Sequence, residues 1–236
     1  MVDVLHSSLL RAAGFRHGFS LRTGGRSEAP FASANLGRGL GDDPSCVAAN
    51  HRLFAKAVGY ARLYELSQVH GSIVRRVRAD EDPIVVRQED GDALVAREAG
   101  IAVGVRVADC IPLLAANIAT GGVAAIHAGW RGVEARIAEQ ALKTLAAGQL
   151  ANLRVAIGPH IRVANFEVGA EVAARLAAVA HGQDVVDRTF AKPHVDLTRV
   201  LRAQLRSLGI REEFVEDVGG ATYADPERFF SYRRDG

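Results

Sequence analysis

Two imidazoles and one thiol stand out along this chain, each in a short cluster at the edge of an apolar, strand-like run. His70 lies in Gln68-Val69-His70-Gly71, Cys110 in Ala108-Asp109-Cys110, and His127 in His127-Ala128-Gly129-Trp130-Arg131-Gly132. Together they form a three-ligand set for a metal ion. Their separations are too long for a zinc knuckle, in which closely spaced cysteines close a small tetrahedron, so they meet only if the fold assembles them. Three protein ligands leave one coordination position open, which is the catalytic and not the structural pattern of zinc. Neutral imidazole and soft thiolate suit zinc or copper better than magnesium or calcium.

The elements that must position these side chains alternate between strand-like and helix-like patterns. Ile101 to Val107 is a short β-rich run leading to Asp109-Cys110, and Gly122 to Ile126 is another leading to His127, so both ligands are expected where strands end. From Val133 to Ala147 the residues Val133, Ile137, Leu142 and Leu145 fall on one helical stripe while Glu134, Arg136, Glu139 and Lys143 stay outside. Asp43 followed by Pro44 starts a helix, with an acceptor side chain at the cap and a proline already at the helical φ. Val47, Phe54 and Val58 recur on its inner face, with His51 beside them as a packed histidine. Leu153 to Ile157 reads as a strand, and Gly169 to Ala180 and Leu197 to Leu208 as amphipathic helices. Mixed α/β architecture follows, as one domain over residues 1–236 with the metal site at strand ends. The longest irregular stretch, Arg22 to Asp43, is Gly-rich and polar, and its Arg22-Thr23-Gly24-Gly25 places a cation beside exposed backbone N–H groups, a workable anion cradle or a plain turn.

Composition narrows the class. The chain has 236 residues, 48% of them apolar and 24% charged, ordinary values for a globular enzyme-sized body. Its net charge of +2 conceals 26 Arg against 3 Lys, but the arginines are spread along the chain and matched by 27 acidic residues, so no nucleic-acid footprint is expected. Arg75-Arg76-Val77-Arg78 reads as a solvated strand edge. Two cysteines in unlike contexts, Cys46 and Cys110, give no disulfide framework. Residues 1–15 lack the basic start and long apolar stretch of a signal peptide, and no apolar run approaches the roughly 20 residues of a bilayer span. A cytoplasmic protein without a membrane partner is the expectation.

The motifs RTGG at 22–25, GDDP at 41–44, QVHG at 68–71, DGDALV at 90–95, ADCIPLL at 108–114, HAGWRG at 127–132, IGP at 157–159 and FFSYRRDG at 229–236 run in order through nearly the whole chain. In this combination the sequence resembles the bacterial multicopper polyphenol oxidoreductase (laccase) domain proteins, also called peptidoglycan editing factors. The resemblance implies a single-domain α/β sandwich with a zinc site on His70, Cys110 and His127. It also implies purine nucleoside chemistry: phosphorolysis of adenosine, inosine, guanosine and methylthioadenosine to base and ribose 1-phosphate, and deamination of adenosine to inosine. Where many relatives carry further cysteines, this chain has His160 to Glu167 and Ala221, so those thiols are not needed for chemistry retained here. Relatives often continue several residues past the position of Gly236, and such a tail would be a further contributor to the site.

For that chemistry, Arg22, Asn35 and Arg131 are the groups expected around phosphate, and Asp109 and Glu167 are candidates for proton transfer or for orienting a ligand histidine. Tyr232 and Arg233 are placed at the pocket mouth, and Trp130 in the core. Three alternatives stand beside this reading. Cys110 and His127 are also a nucleophile and base for a Cys-His hydrolase acting on peptidoglycan precursors. Copper at the same site would make a slow polyphenol oxidase, although a blue multicopper oxidase needs roughly ten histidines in His-x-His pairs and this chain has 8 His and no such pair. The third is a metal-binding protein without catalysis.

Overall fold

The computed structural model describes residues 2–236. Six strands build one mixed sheet: β1 (Val74–Val77), β2 (Ala93–Ala96), β3 (Ile111–Asn117), β4 (Val123–Ala128), β5 (Leu153–Ile157) and β6 (Val215–Asp217), in the spatial order β6-β5-β3-β4-β2-β1. The inner pairs β2/β4, β4/β3 and β3/β5 are antiparallel, and the outer strands β1 and β6 run parallel to their neighbours β2 and β5. The strand sequences explain the sheet's position. In Ile111-Pro112-Leu113-Leu114-Ala115-Ala116-Asn117 every residue except Leu114 is fully buried, a near-continuous apolar run that needs cover on both faces.

Period-2 alternation divides that cover. Leu113 and Ala115 point into the main core with Ile126, Val155 and the helices α3 (Ile137–Ala146), α4 (Ala170–Ala178) and α5 (Leu197–Ser207). Leu114 and Ala116 face the opposite side, where Leu10 and Phe19 of the N-terminal segment close a smaller cluster. The result is the expected α/β sandwich in a single domain. Helix α1 (Pro44–Val58) begins as its sequence predicts: the Asp43 side chain accepts from the Ser45 amide, Pro44 occupies the first turn, and Gly59 ends it in the left-handed region at φ 85°. Arg75 to Val77 does lie on the sheet's outer strand, β1.

Two expected elements change on folding. The helical stripe over Val133 to Ala147 is two helices, α2 (Trp130–Glu134) and α3, separated by Arg136 at φ 58°. The break lets α2 stay with the loop bearing His70, where Gly132 packs a hypothetical Cβ distance of 3.1 Å from the Gly71 carbonyl, while α3 lies across the sheet. The strand expected over Ile101 to Val107 shrinks to Ala102–Val103, which pairs in parallel with Leu63–Tyr64. Cys110 therefore introduces β3 instead of ending the preceding strand.

Candidate metal centre

Antiparallel register explains how residues so distant in sequence converge. Ala93 of β2 pairs with Ile126 of β4, and Ile111 of β3 pairs with Ala128 of β4. The residue before β2 (Asp92), the residue before β3 (Cys110) and the end of β4 (His127) thus share one end of the sheet. Val74 of β1 pairs with Ala93, which carries the preceding loop, with His70, to the same end. The imidazole nitrogens of His70 and His127 and the Cys110 Sγ lie within 4.8 Å of one another. The two rings meet edge to face, centroids 4.8 Å apart at 84°. His127 is buried, Cys110 half-buried and His70 exposed, so the cluster opens to solvent on the His70 side.

Asp92, fully buried, organises both histidines. Its Oδ1 accepts from His127 Nδ1 at 2.7 Å and from the His70 amide at 3.0 Å, and its Oδ2 accepts from the Gly71 amide at 2.7 Å. Burial pushes the Asp92 carboxyl up, but the bonds from the His127 ring and the Gly71 and His70 amides outweigh it and hold the group below the usual carboxylate range. An ionised Asp92 can only accept, so the His127 proton sits on Nδ1 and the Nε2 lone pair is left for a ligand. The same carboxylate supports the His70 loop, which turns through the left-handed region at φ 57°. Burial, then the neighbouring His127, lowers the His70 pKa, so its ring is neutral and able to ligate.

The Cys110 thiol is pushed up to about 12 by burial and then by the Asp109 and Asp92 carboxylates. A thiol so placed ionises only with a cation beside it, the reverse of the electropositive setting that activates a nucleophilic cysteine. Space for that cation is kept by Gly129, where an added Cβ would stand 3.0 Å from Cys110 Sγ and 3.1 Å from the His70 ring. Two imidazoles, a thiol awaiting a cation and an open cradle fit a borderline metal such as zinc.

A family model described as "Multi-copper polyphenol oxidoreductase laccase" matches residues 16–236. The chain belongs to that family. It is 36% identical to a purine nucleoside phosphorylase of Deinococcus radiodurans over 96% of this chain and 87% of that protein. It is also 36% identical to the purine nucleoside phosphorylase YfiH of Escherichia coli over 92% of this chain and 87% of that protein. Among solved structures, YlmD from Geobacillus stearothermophilus superposes with a TM-score of 0.83 at 30% identity, covering 92% of this chain and 86% of that one. The family's relatives thus carry a purine nucleoside enzyme name, and this member brings the three candidate ligands together.

The other residues singled out by sequence fall into two groups. Arg131, exposed at the start of α2, is close enough to the cluster to depress the His70 pKa, and its guanidinium lies over the Trp130 ring at 4.5 Å. Its guanidinium makes no hydrogen bond or ion pair among the described residues and rests on the Trp130 ring, exposed to solvent. Trp130 is half-buried against the main core. Asp109, by contrast, has both carboxylate oxygens engaged by the fold. It accepts from the Thr222 hydroxyl at 2.6 Å, the Ser231 hydroxyl at 3.0 Å and the Arg233 amide at 2.7 Å. It is a buried latch for the C-terminal segment and the short helix α6 (Tyr232–Asp235), with φ 93° at its own backbone.

Arg22 is likewise committed: Nε and one terminal nitrogen donate to the Ala32 carbonyl, the other donates to the Pro226 carbonyl, and the guanidinium covers the Phe230 ring. Gly25 of the same RTGG turn packs against Ser33, so this stretch is a structural turn. Asn35, buried, bonds to Asp42 and Gly37 within its own loop. Glu167 pairs with Lys192 at 2.8 Å, which holds its carboxyl below the ordinary range. Arg233 reaches the Glu167 carbonyl at 3.0 Å, and Tyr232 is 74% exposed. Asp92 escaped the sequence reading although DGDALV contains it, because nothing in one sequence distinguishes the carboxylate that faces a histidine from its neighbour Asp90. Gly129 gives no sequence signal either, because its role is the space it leaves beside Cys110 and His70.

Proposed function

We propose that this protein is a zinc-dependent purine nucleoside phosphorylase, with His70, Cys110 and His127 as the metal ligands and Arg131 as the phosphate-binding cation. The observation that carries the reading is an exposed guanidinium, stacked on Trp130 but with no hydrogen bond of its own, next to a three-residue cluster of candidate ligands, in a chain whose relatives are named purine nucleoside phosphorylases. In phosphorolysis a phosphate oxygen bonds to C1′ of the ribose while the glycosidic bond breaks and its electron pair leaves with the base. Arg131 holds the anionic nucleophile, matching its forked donors to phosphate oxygens. Asp92 keeps His127 in the ligating tautomer, and Asp109 holds the C-terminal segment against the turn that leads through Cys110 into β3. His70, Cys110 and His127 would hold a zinc ion, which would supply Lewis acidity.

Adenosine deamination is a second reading, favoured by a different feature. Three ligands leave a coordination position that hydrolytic attack on the purine needs. The raised Cys110 pKa and the presence of His70 weigh against a Cys-His hydrolase, which needs an ionised thiol and no third ligand.

The test is incubation of zinc-loaded protein with inosine and with adenosine, with and without phosphate, and separation of products. Phosphate-dependent hypoxanthine from inosine is expected, lost in Cys110→Ala and shifted to higher phosphate KM in Arg131→Met. Phosphate-independent inosine from adenosine would establish the deaminase. No product from protein carrying stoichiometric zinc overturns the proposal.

A further inference from the structure

The two segments leading to His70 and Cys110 start as neighbours. Leu63–Tyr64 and Ala102–Val103 run in parallel, and the Gly104 amide still donates to the Tyr64 carbonyl at 3.0 Å. Beyond that point the backbones no longer bond to each other, yet both must arrive at one metal cluster. The gap is spanned by side chains. Gln68 Nε2 donates to the Arg106 carbonyl at 2.8 Å, and the Arg106 amide donates back to Gln68 Oε1 at 2.8 Å. The carboxamide thus reproduces the donor and acceptor of a missing strand residue, and both its groups are used. On the other side of the same junction, Arg106 donates through one terminal nitrogen to the buried Glu65 at 3.1 Å and through the other to the Leu66 carbonyl at 3.2 Å.

From these four bonds we infer that Gln68 is a positioning residue for the metal centre, setting the separation between His70, two residues downstream of it, and Cys110, four residues downstream of its partner Arg106. Asp92 fixes His127 to the His70 loop, but it makes no bond to the Cys110 loop. Gln68 supplies that missing link, so each pair of ligand segments is tied by a hydrogen bond or a strand ladder: His70 to His127 through Asp92, Cys110 to His127 through the β3/β4 register, and His70 to Cys110 through Gln68. Removing the carboxamide leaves all three candidate ligands present and loosens the distance between two of them, whose segments are then tied only through the Arg106 guanidinium, upstream of His70. This inference rests on the metal reading of the site.

The test is zinc affinity by competition with a chromophoric chelator, together with the visible absorption of the cobalt-substituted protein and the thermal midpoint of the metal-free protein. Gln68→Met keeps the side chain's length and removes both bonds. The expected result is zinc binding weakened by about 10- to 100-fold, the usual effect of losing a residue that orients ligands, with altered cobalt ligand-field bands and a metal-free midpoint within a few degrees of the parent. Gln68→Glu keeps the acceptor for the Arg106 amide and loses the donor, so it should fall between. If wild-type protein itself fails to bind zinc stoichiometrically, the metal reading fails. If wild type binds and Gln68→Met binds within about twofold of it with unchanged cobalt bands, the role assigned to Gln68 is wrong. Should Gln68→Met give no cooperative unfolding transition, Gln68→Glu decides by the same criterion.

Discussion

Replacing Asp92 with asparagine tests the organisation of the centre most directly, because the new side chain has the same shape and one acceptor oxygen in place of two. Asp92 accepts from His127 Nδ1 and the His70 amide on one oxygen and from the Gly71 amide on the other. If the amide oxygen faces His127, the NH2 group confronts the Gly71 N–H at a contact of 2.7 Å, donor against donor. If it faces Gly71, the NH2 confronts His127 Nδ1, and the imidazole must carry its proton on Nε2, the atom needed as ligand. Either arrangement loses at least one hydrogen bond to a charged acceptor, about 1.5–3 kcal/mol, and buries an unpaired donor. A destabilisation of about 2–4 kcal/mol and zinc binding weaker by about 10- to 100-fold are expected. Urea denaturation of the metal-free protein reads the first quantity and chelator competition the second. Zinc affinity within about threefold of the parent would refute the tautomer argument, and unchanged stability would refute the hydrogen-bond count.

Gly129→Ala isolates the effect of space, since φ −67° and ψ 168° suit alanine while its Cβ enters the cradle between Cys110 and His70. Zinc affinity should fall with little change in the unfolding midpoint of the metal-free protein; equal loss of both would assign Gly129 to packing instead. Asp109→Ala should leave the Thr222 and Ser231 hydroxyls and the Arg233 amide without their acceptor, cost about 3 kcal/mol, and expose residues 222–236 to limited proteolysis; a cleavage pattern like the parent's would argue against the latch. His160 is fully enclosed, donating through Nδ1 to the Gly158 carbonyl and accepting from Thr198 at Nε2. Burial, then Arg162, lowers its pKa to about 4. The unfolded ring protonates near pH 6.5 and the folded one only near 4, so stability is full above 6.5 and drains away as pH falls to 4, by about 3 kcal/mol in all. Denaturant midpoints at pH 7.5 and 4.5 should converge in His160→Gln relative to the parent, and parallel losses in both proteins would contradict this.

Much of the site was legible because local chemistry is written in local sequence. Asp43-Pro44 caps a helix wherever it stands, and the apolar runs around Leu113 and Val155 are strands because both of their faces are covered. His70, Cys110 and His127 were recognisable as candidate ligands by side-chain type and by placement beside such runs. What they needed from the fold was convergence, and this came from strand register: a one-residue slip of β3 against β4 would turn the Cys110 segment to the other face of the sheet. Tertiary structure alone decided which polar groups serve those ligands. Arg22 and Arg131 are the same residue in sequence, but three carbonyl bonds commit the first to holding loops together while the second stays open beside the cluster. Asp109 and Asp92 are both buried carboxylates next to the site, yet one latches the C-terminal segment and the other orients two histidines. A hydrogen bond depends on separations of tenths of an ångström between residues far apart in the chain. Residue type announces the donor or acceptor, and only the packed fold assigns its partner.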